Sequence, residues 1–124
     1  MGITIELLIN KHIEIWSETD SQKRRIKIQE VYKSNCRIFD PFFSDIVVGH
    51  EALSDLIDEV QAKNPGRVFT VTPGSIDEHH DQARFSWNYE SPDNPVVITG
   101  QDFITVENGL IQSLTVFVDE PTTD

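Results

Sequence analysis

The chain has 124 residues, 38% of them hydrophobic, with 21 acidic and 10 basic side chains and a formal net charge of -11. It is long enough to bury one hydrophobic core and too short for a second, so residues 1–124 read as a single domain. The acidic field repels phosphate backbones and anionic membrane surfaces, no Lys/Arg cluster follows Lys23, Arg24, Arg25 and Lys27, and no apolar run approaches the roughly 20 residues of a membrane span.

From Thr4 to Ser17, apolar residues fall at Ile5, Leu8, Ile9, Ile13 and Trp16, the spacing of one helical face, and His12 lies on the same stripe. After a short polar turn, Asp20 or Ser21 caps a second helix in which Ile28, Val31 and Tyr32 recur, with Lys23, Arg24, Lys27 and Glu30 left for water. Asn35 to Phe39 changes to an extended period. Pro41 biases Asp40 away from the helical region, so Asp40 ends that strand, with Cys36, Ile38 and Asp40 on one face.

Gly49 precedes a third amphipathic helix whose buried stripe is Leu53, Leu56, Ile57 and Val60, stopped by Asn64-Pro65-Gly66. Asp55, Asp58 and Glu59 read as its solvated face. Strands follow from Arg67. Ala83, Phe85, Trp87 and Tyr89 alternate strictly with polar residues, the mark of a half-buried strand, and Ser91 to Pro95 turns the chain. Val96 to Val106 and Leu110 to Val118 are two long strands joined at Glu107-Asn108-Gly109, residues that tolerate a positive φ in a tight hairpin. Glu120 to Asp124 read as a polar tail. Cys36 has no intrachain partner, and the N-terminus lacks the succession of a signal peptide, which together fit a reducing, cytoplasmic location.

The order ααβαββββ, with Trp16-Ser17-Glu18-Thr19-Asp20, Phe39-Asp40-Pro41, Gly49-His50-Glu51-Ala52-Leu53, Trp87, Gly100-Gln101-Asp102-Phe103 and Asn108-Gly109-Leu110-Ile111 at its joints, resembles the nuclear transport factor 2-like superfamily. Within it the chain is most similar to the SnoaL-like, ketosteroid-isomerase-like group. The resemblance implies an α+β fold: a cone-shaped, curved, mostly antiparallel sheet with a mixed edge, wrapped around three helices. It implies that Asp40, before Pro41, stands where such isomerases place a proton-shuttling base. His12 falls where they carry an oxyanion-binding Tyr, and Asp102 where they carry a protonated Asp. It further implies a homodimer through the outer face of the sheet.

The resulting expectation is a small-molecule pocket protein of isomerase or cyclase type. Asp40 takes a proton next to a carbonyl while His12 and Asp102 bind the enolate oxygen of a small apolar compound, with neither metal nor organic cofactor. Trp16, Tyr32, Phe39, Phe43, Phe85, Trp87 and Phe117 are candidates to line the pocket. The alternative is a non-catalytic ligand-binding or dimerisation module of the same fold. Each residue also has a structural reading: Asp40 as a turn former, His12 as a hydrogen-bonded core histidine, Asp102 as a solvent-facing strand residue, and the aromatic residues as plain core. Glu78-His79-His80-Asp81 reads as an exposed hairpin loop rather than a metal cluster. His50 reads as serving a helix terminus, and Cys36 as a small buried filler.

Overall fold

A computed structural model describes residues 4–119; the tail from Glu120 to Asp124 lies outside the described residues. The elements in chain order are α1 (Ile5–Ser17), α2 (Ser21–Val31), β1 (Tyr32–Phe39), β2 (Val47–Val48), α3 (His50–Lys63), β3 (Val68–Val71), β4 (Asp77–His79), β5 (Gln82–Ser91), β6 (Asn94–Glu107) and β7 (Leu110–Val118). The strands form one seven-stranded sheet in the order β2-β1-β7-β6-β5-β3, with β4 also paired to β5. β1 and β7 run parallel and the other pairs antiparallel. The three helices pack on the sheet's concave side, giving the expected cone.

The local signals that start each element are visible in its caps. The Thr4 hydroxyl accepts from Leu7 N at the start of α1, and the Asp20 carboxylate accepts from Gln22 N and Lys23 N at 3.0 and 3.1 Å at the start of α2. Gly49 opens α3 at φ +92°, a conformation that a Cβ would strain. Asn108 and Gly109, at φ 54° and 78°, make the tight hairpin between β6 and β7. α2 runs into β1 with no loop, so Tyr32 begins the strand instead of closing the helix, three residues before the expected Asn35.

The core gathers Leu8, Ile9, Ile15, Ile28, Cys36, Ile38, Leu53, Ile57, Phe85, Ile104, Ile111 and Leu114, all essentially without solvent contact. Arg24 corrects the expectation that it faces water: it is fully buried, and both terminal guanidinium nitrogens donate to Asp58 Oδ1, at 2.7 and 2.5 Å. Arg24, Ile28 and Val31 fall on one helical face, and that face packs on α3, so the arginine is carried inward with the apolar residues. Asp58 of α3 is therefore a partner for a buried cation and only half solvated.

Candidate active site

Asp40 follows β1 directly and shares the inward face of Cys36 and Ile38. It is 8% exposed; its Oδ1 accepts from Phe42 N at 2.9 Å and its carbonyl from Phe43 N, which folds the chain tightly over Pro41. Burial raises its pKa above the ordinary carboxylate range. The Phe42 hydrogen bond opposes that rise and the charge of Asp102 adds to it. Among the described residues no donor reaches its Oδ2.

His12 comes from the middle of α1 and Asp102 from β6, and the two are joined by a 2.8 Å bond between His12 Nε2 and Asp102 Oδ2. Trp87, one strand over on β5, donates its indole N–H to Asp102 Oδ1 at 2.9 Å. On the other side of the imidazole, Nδ1 bonds the Tyr32 hydroxyl, which accepts from the Trp16 indole at 3.2 Å. Indole nitrogens only donate. Every proton and acceptor is used when Trp16 donates to Tyr32, Tyr32 to His12 Nδ1, and His12 Nε2–H to Asp102. This assignment makes His12 a neutral donor and Asp102 a carboxylate satisfied on both oxygens. Burial holds the Tyr32 phenol protonated, its pKa well above the usual value; the Trp16 bond opposes this and the charge of Asp102 adds to it.

Asp40, His12 and Asp102 all line one cavity of about 370 Å³ inside the cone, in the range of small-molecule sites. Its walls are apolar. Trp16, Phe43 and Trp87 contribute, as expected, together with Ile13, Phe42, Val60, Phe69, Tyr89, Ile98, Val116 and Val118, which the sequence reading had not singled out. Glu59, Lys63 and Asn64 of α3 and its terminus, with the 73% exposed Phe42, bring it to the surface.

Four of the expected lining residues lie elsewhere. Tyr32 and Phe85 are fully buried behind His12, each edge-on to its ring at about 5.9 and 5.8 Å between centroids, and form the layer beneath the cavity. Phe39 has the opposite strand parity from Ile38 and Asp40 and sits under the Arg37 guanidinium. Phe117 is 60% exposed on the outer face. The cause is a bulge in the β6–β7 hairpin: Val106 pairs with Ile111, but Thr105 pairs with Ser113, leaving Gln112 as an extra residue. Asp102 therefore opposes Val116, so Val116 and Val118 face inward while Phe117 faces out.

Gly100 is a site residue whose role sequence reasoning missed. It pairs with Trp87, and a Cβ there would lie 2.3 Å from both the Trp87 ring and the Phe117 carbonyl oxygen. Only a bare Cα lets the indole lie across β6 and reach Asp102. Outside the cavity, His50 donates from Nε2 to the Tyr32 carbonyl, tying α3 to the start of β1. Burial raises the pKa of the Cys36 thiol, which suits a packed rather than reactive thiol. Glu78 to Asp81 form an exposed hairpin in which His80 and Asp81 both have positive φ.

The curved α+β cone with a polar cluster at an internal cavity defines the nuclear transport factor 2-like class of fold. Residues 9–114 match the family model of the SnoaL-like domain, and the chain belongs to that family. No functionally curated protein matches it. Among solved structures, a candidate isomerase of the SnoaL-like family from Agrobacterium tumefaciens is 28% identical, with a TM-score of 0.83 over 92% of this chain and 96% of that one. A candidate ketosteroid isomerase from Kribbella flavida is 19% identical, with a TM-score of 0.71 over 95% and 79%. A candidate SnoaL-like polyketide cyclase from Jannaschia sp. is 14% identical, with a TM-score of 0.71 over 90% and 85%. The last two show the shared fold alone. No helix among the described residues is long and apolar enough to cross a membrane.

Proposed function

We propose that the protein is a proton-transfer enzyme of isomerase or cyclase type, acting on a compact, largely apolar carbonyl compound with Asp40 as the base. The observation that carries this reading is Asp40 itself: a buried carboxyl at the wall of an apolar cavity, without a cationic partner and with one oxygen unengaged among the described residues. Burial brings its pKa toward the range useful for taking and returning a proton. The N–H groups best placed for a developing oxyanion, on His12 Nε2 and Trp87 Nε1, both rest on Asp102. A substrate oxygen placed at those N–H groups must share or replace that carboxylate, while the buried Tyr89 hydroxyl of the same cavity has no partner among the described residues.

The same proposal includes a homodimer through the outer face of the sheet, where Val97 and Phe117 are 45% and 60% exposed. The catalytic reading is tested with a panel of small cyclic ketones in deuterated water, following loss of the α-proton signal by NMR. Wild type is expected to accelerate exchange and Asp40→Asn to lose about 10²–10⁴-fold of that rate. Saturable binding without exchange across the panel assigns the fold here to a non-catalytic ligand-binding module.

A further inference from the structure

The polar atoms of the cavity are sorted unevenly. Its buried N–H donors are spoken for, Trp16 Nε1 by Tyr32, Trp87 Nε1 and His12 Nε2 by Asp102, and the Tyr89 hydroxyl, which can donate or accept, is buried without a partner among the described residues. The unengaged charged group is an acceptor, Asp40 Oδ2, on a residue more than nine-tenths buried. Two further carboxyl groups, on Glu59 and Asp102, line the same space. Lys63 is the one lysine or arginine among the described lining residues, and it is exposed at the end of α3 with no ion pair to any of the three.

Around these carboxylates stand six aromatic side chains: Trp16, Phe42, Phe43, Phe69, Trp87 and Tyr89. A purely apolar ligand would leave the Asp40 carboxylate in a dry site with neither donor nor countercharge. A cationic ammonium group avoids that penalty. It gives Asp40 a charged partner and meets the electron-rich faces of aromatic rings, and a net charge of -11 raises its concentration near the protein. We infer that the cavity is a receptor for a small positively charged amine, held among the aromatic walls and against Asp40. The inference is carried by the lining alone and stands whether or not the bound molecule is turned over.

The test compares two probes of one shape: choline, and its uncharged carbon isostere in which a tert-butyl group replaces the trimethylammonium. Each is titrated into the wild-type protein and followed by Trp fluorescence and by amide shifts of the cavity residues. The isostere has the larger hydrophobic driving force, so charge recognition alone can reverse the order. Choline is expected to bind about tenfold more tightly, a difference of about 1.4 kcal/mol. Asp40→Asn should erase that preference, Glu59→Gln should reduce it at an exposed helix position where folding is not at stake, and Lys63→Gln should not weaken choline. Equal or tighter binding of the uncharged isostere overturns the inference. So does a choline response confined to residues outside the cavity, or the absence of saturable binding by choline at millimolar concentration.

Discussion

Trp87 and Gly100 face each other across β5 and β6, and the absence of a side chain on Gly100 lets the indole lie over the strand and donate to Asp102 at 2.9 Å. The added methyl of Gly100→Ala meets both ring and backbone at 2.3 Å, so the ring must move. We expect a loss of about 1–3 kcal/mol in urea denaturation, together with a changed Trp emission spectrum as the Asp102 bond breaks. An unchanged spectrum would show that the contact is not what holds the indole.

Asp40 sets activity against stability. Its folded-state pKa is raised, chiefly by burial, so between the unfolded and folded values the native state holds the extra proton. Stability falls as pH rises through that window, and the full penalty persists above it. Asp40→Asn keeps an acceptor for Phe42 N–H without the charge. It is expected to melt higher than wild type at neutral pH, to match it below the ordinary Asp range, and to lose proton-exchange activity throughout. Wild-type exchange should rise with pH through an apparent pKa above that range. Thermal melts across pH, paired with the ketone assay, check both halves.

Tyr32 carries the link between Trp16 and His12. Tyr32→Phe leaves the Trp16 N–H and His12 Nδ1 unpartnered in a dry layer and should cost about 1–3 kcal/mol. The informative readout is the imidazole ¹⁵N spectrum. Wild type should show the Nε2–H tautomer, and the variant a mixture or a different protonation state.

The guanidinium of Arg24 depends on Asp58. Asp58→Asn removes the countercharge from a fully buried cation and should destabilise by about 3 kcal/mol, near the low end for a buried pair because Asp58 is itself half exposed. A shift in urea midpoint with an unchanged slope measures it.

The outer face is tested through Phe117. Light scattering after size exclusion should give a dimer for wild type and a monomer for Phe117→Lys, with the cavity intact by probe binding. A monomeric wild type removes the dimer from the proposal.

Where periodicity was unbroken, the sequence was readable. The alternation of Ala83, Phe85, Trp87 and Tyr89, the Asp40-Pro41 strand end and the Asn108-Gly109 hairpin are local signals, and each stands where it was expected. His12, Asp40 and Asp102 meet at one cavity, though the pairing of His12 with Asp102 depends on a crossing of α1 over β6 that no local pattern encodes. Phe117 faces outward, against simple alternation from Ile111, because one unpaired residue, Gln112, reverses strand parity beyond the turn. Arg24 is buried against the preference of its residue type because it stands one helical turn before Ile28 on the inward face. Tyr32 looked like a member of a helical stripe, and its tie to His12 appears only once α2 has ended and β1 begun.

His12 and Asp102 are 90 positions apart, so the Nε2 side of the imidazole finds its partner only on the penultimate strand, whereas the Nδ1 side meets Tyr32 20 positions on. A nascent chain emerging from the ribosome carries α1 and Tyr32 long before β6 exists, and until then His12 Nε2 must stay hydrated or find a temporary neighbour. Closure of so long a loop belongs to the slow, topology-limited part of folding. The cavity is consequently all or none: a chain truncated before β6 lacks Ile98 and Asp102 and the strand that joins β5 to β7, so its wall cannot close.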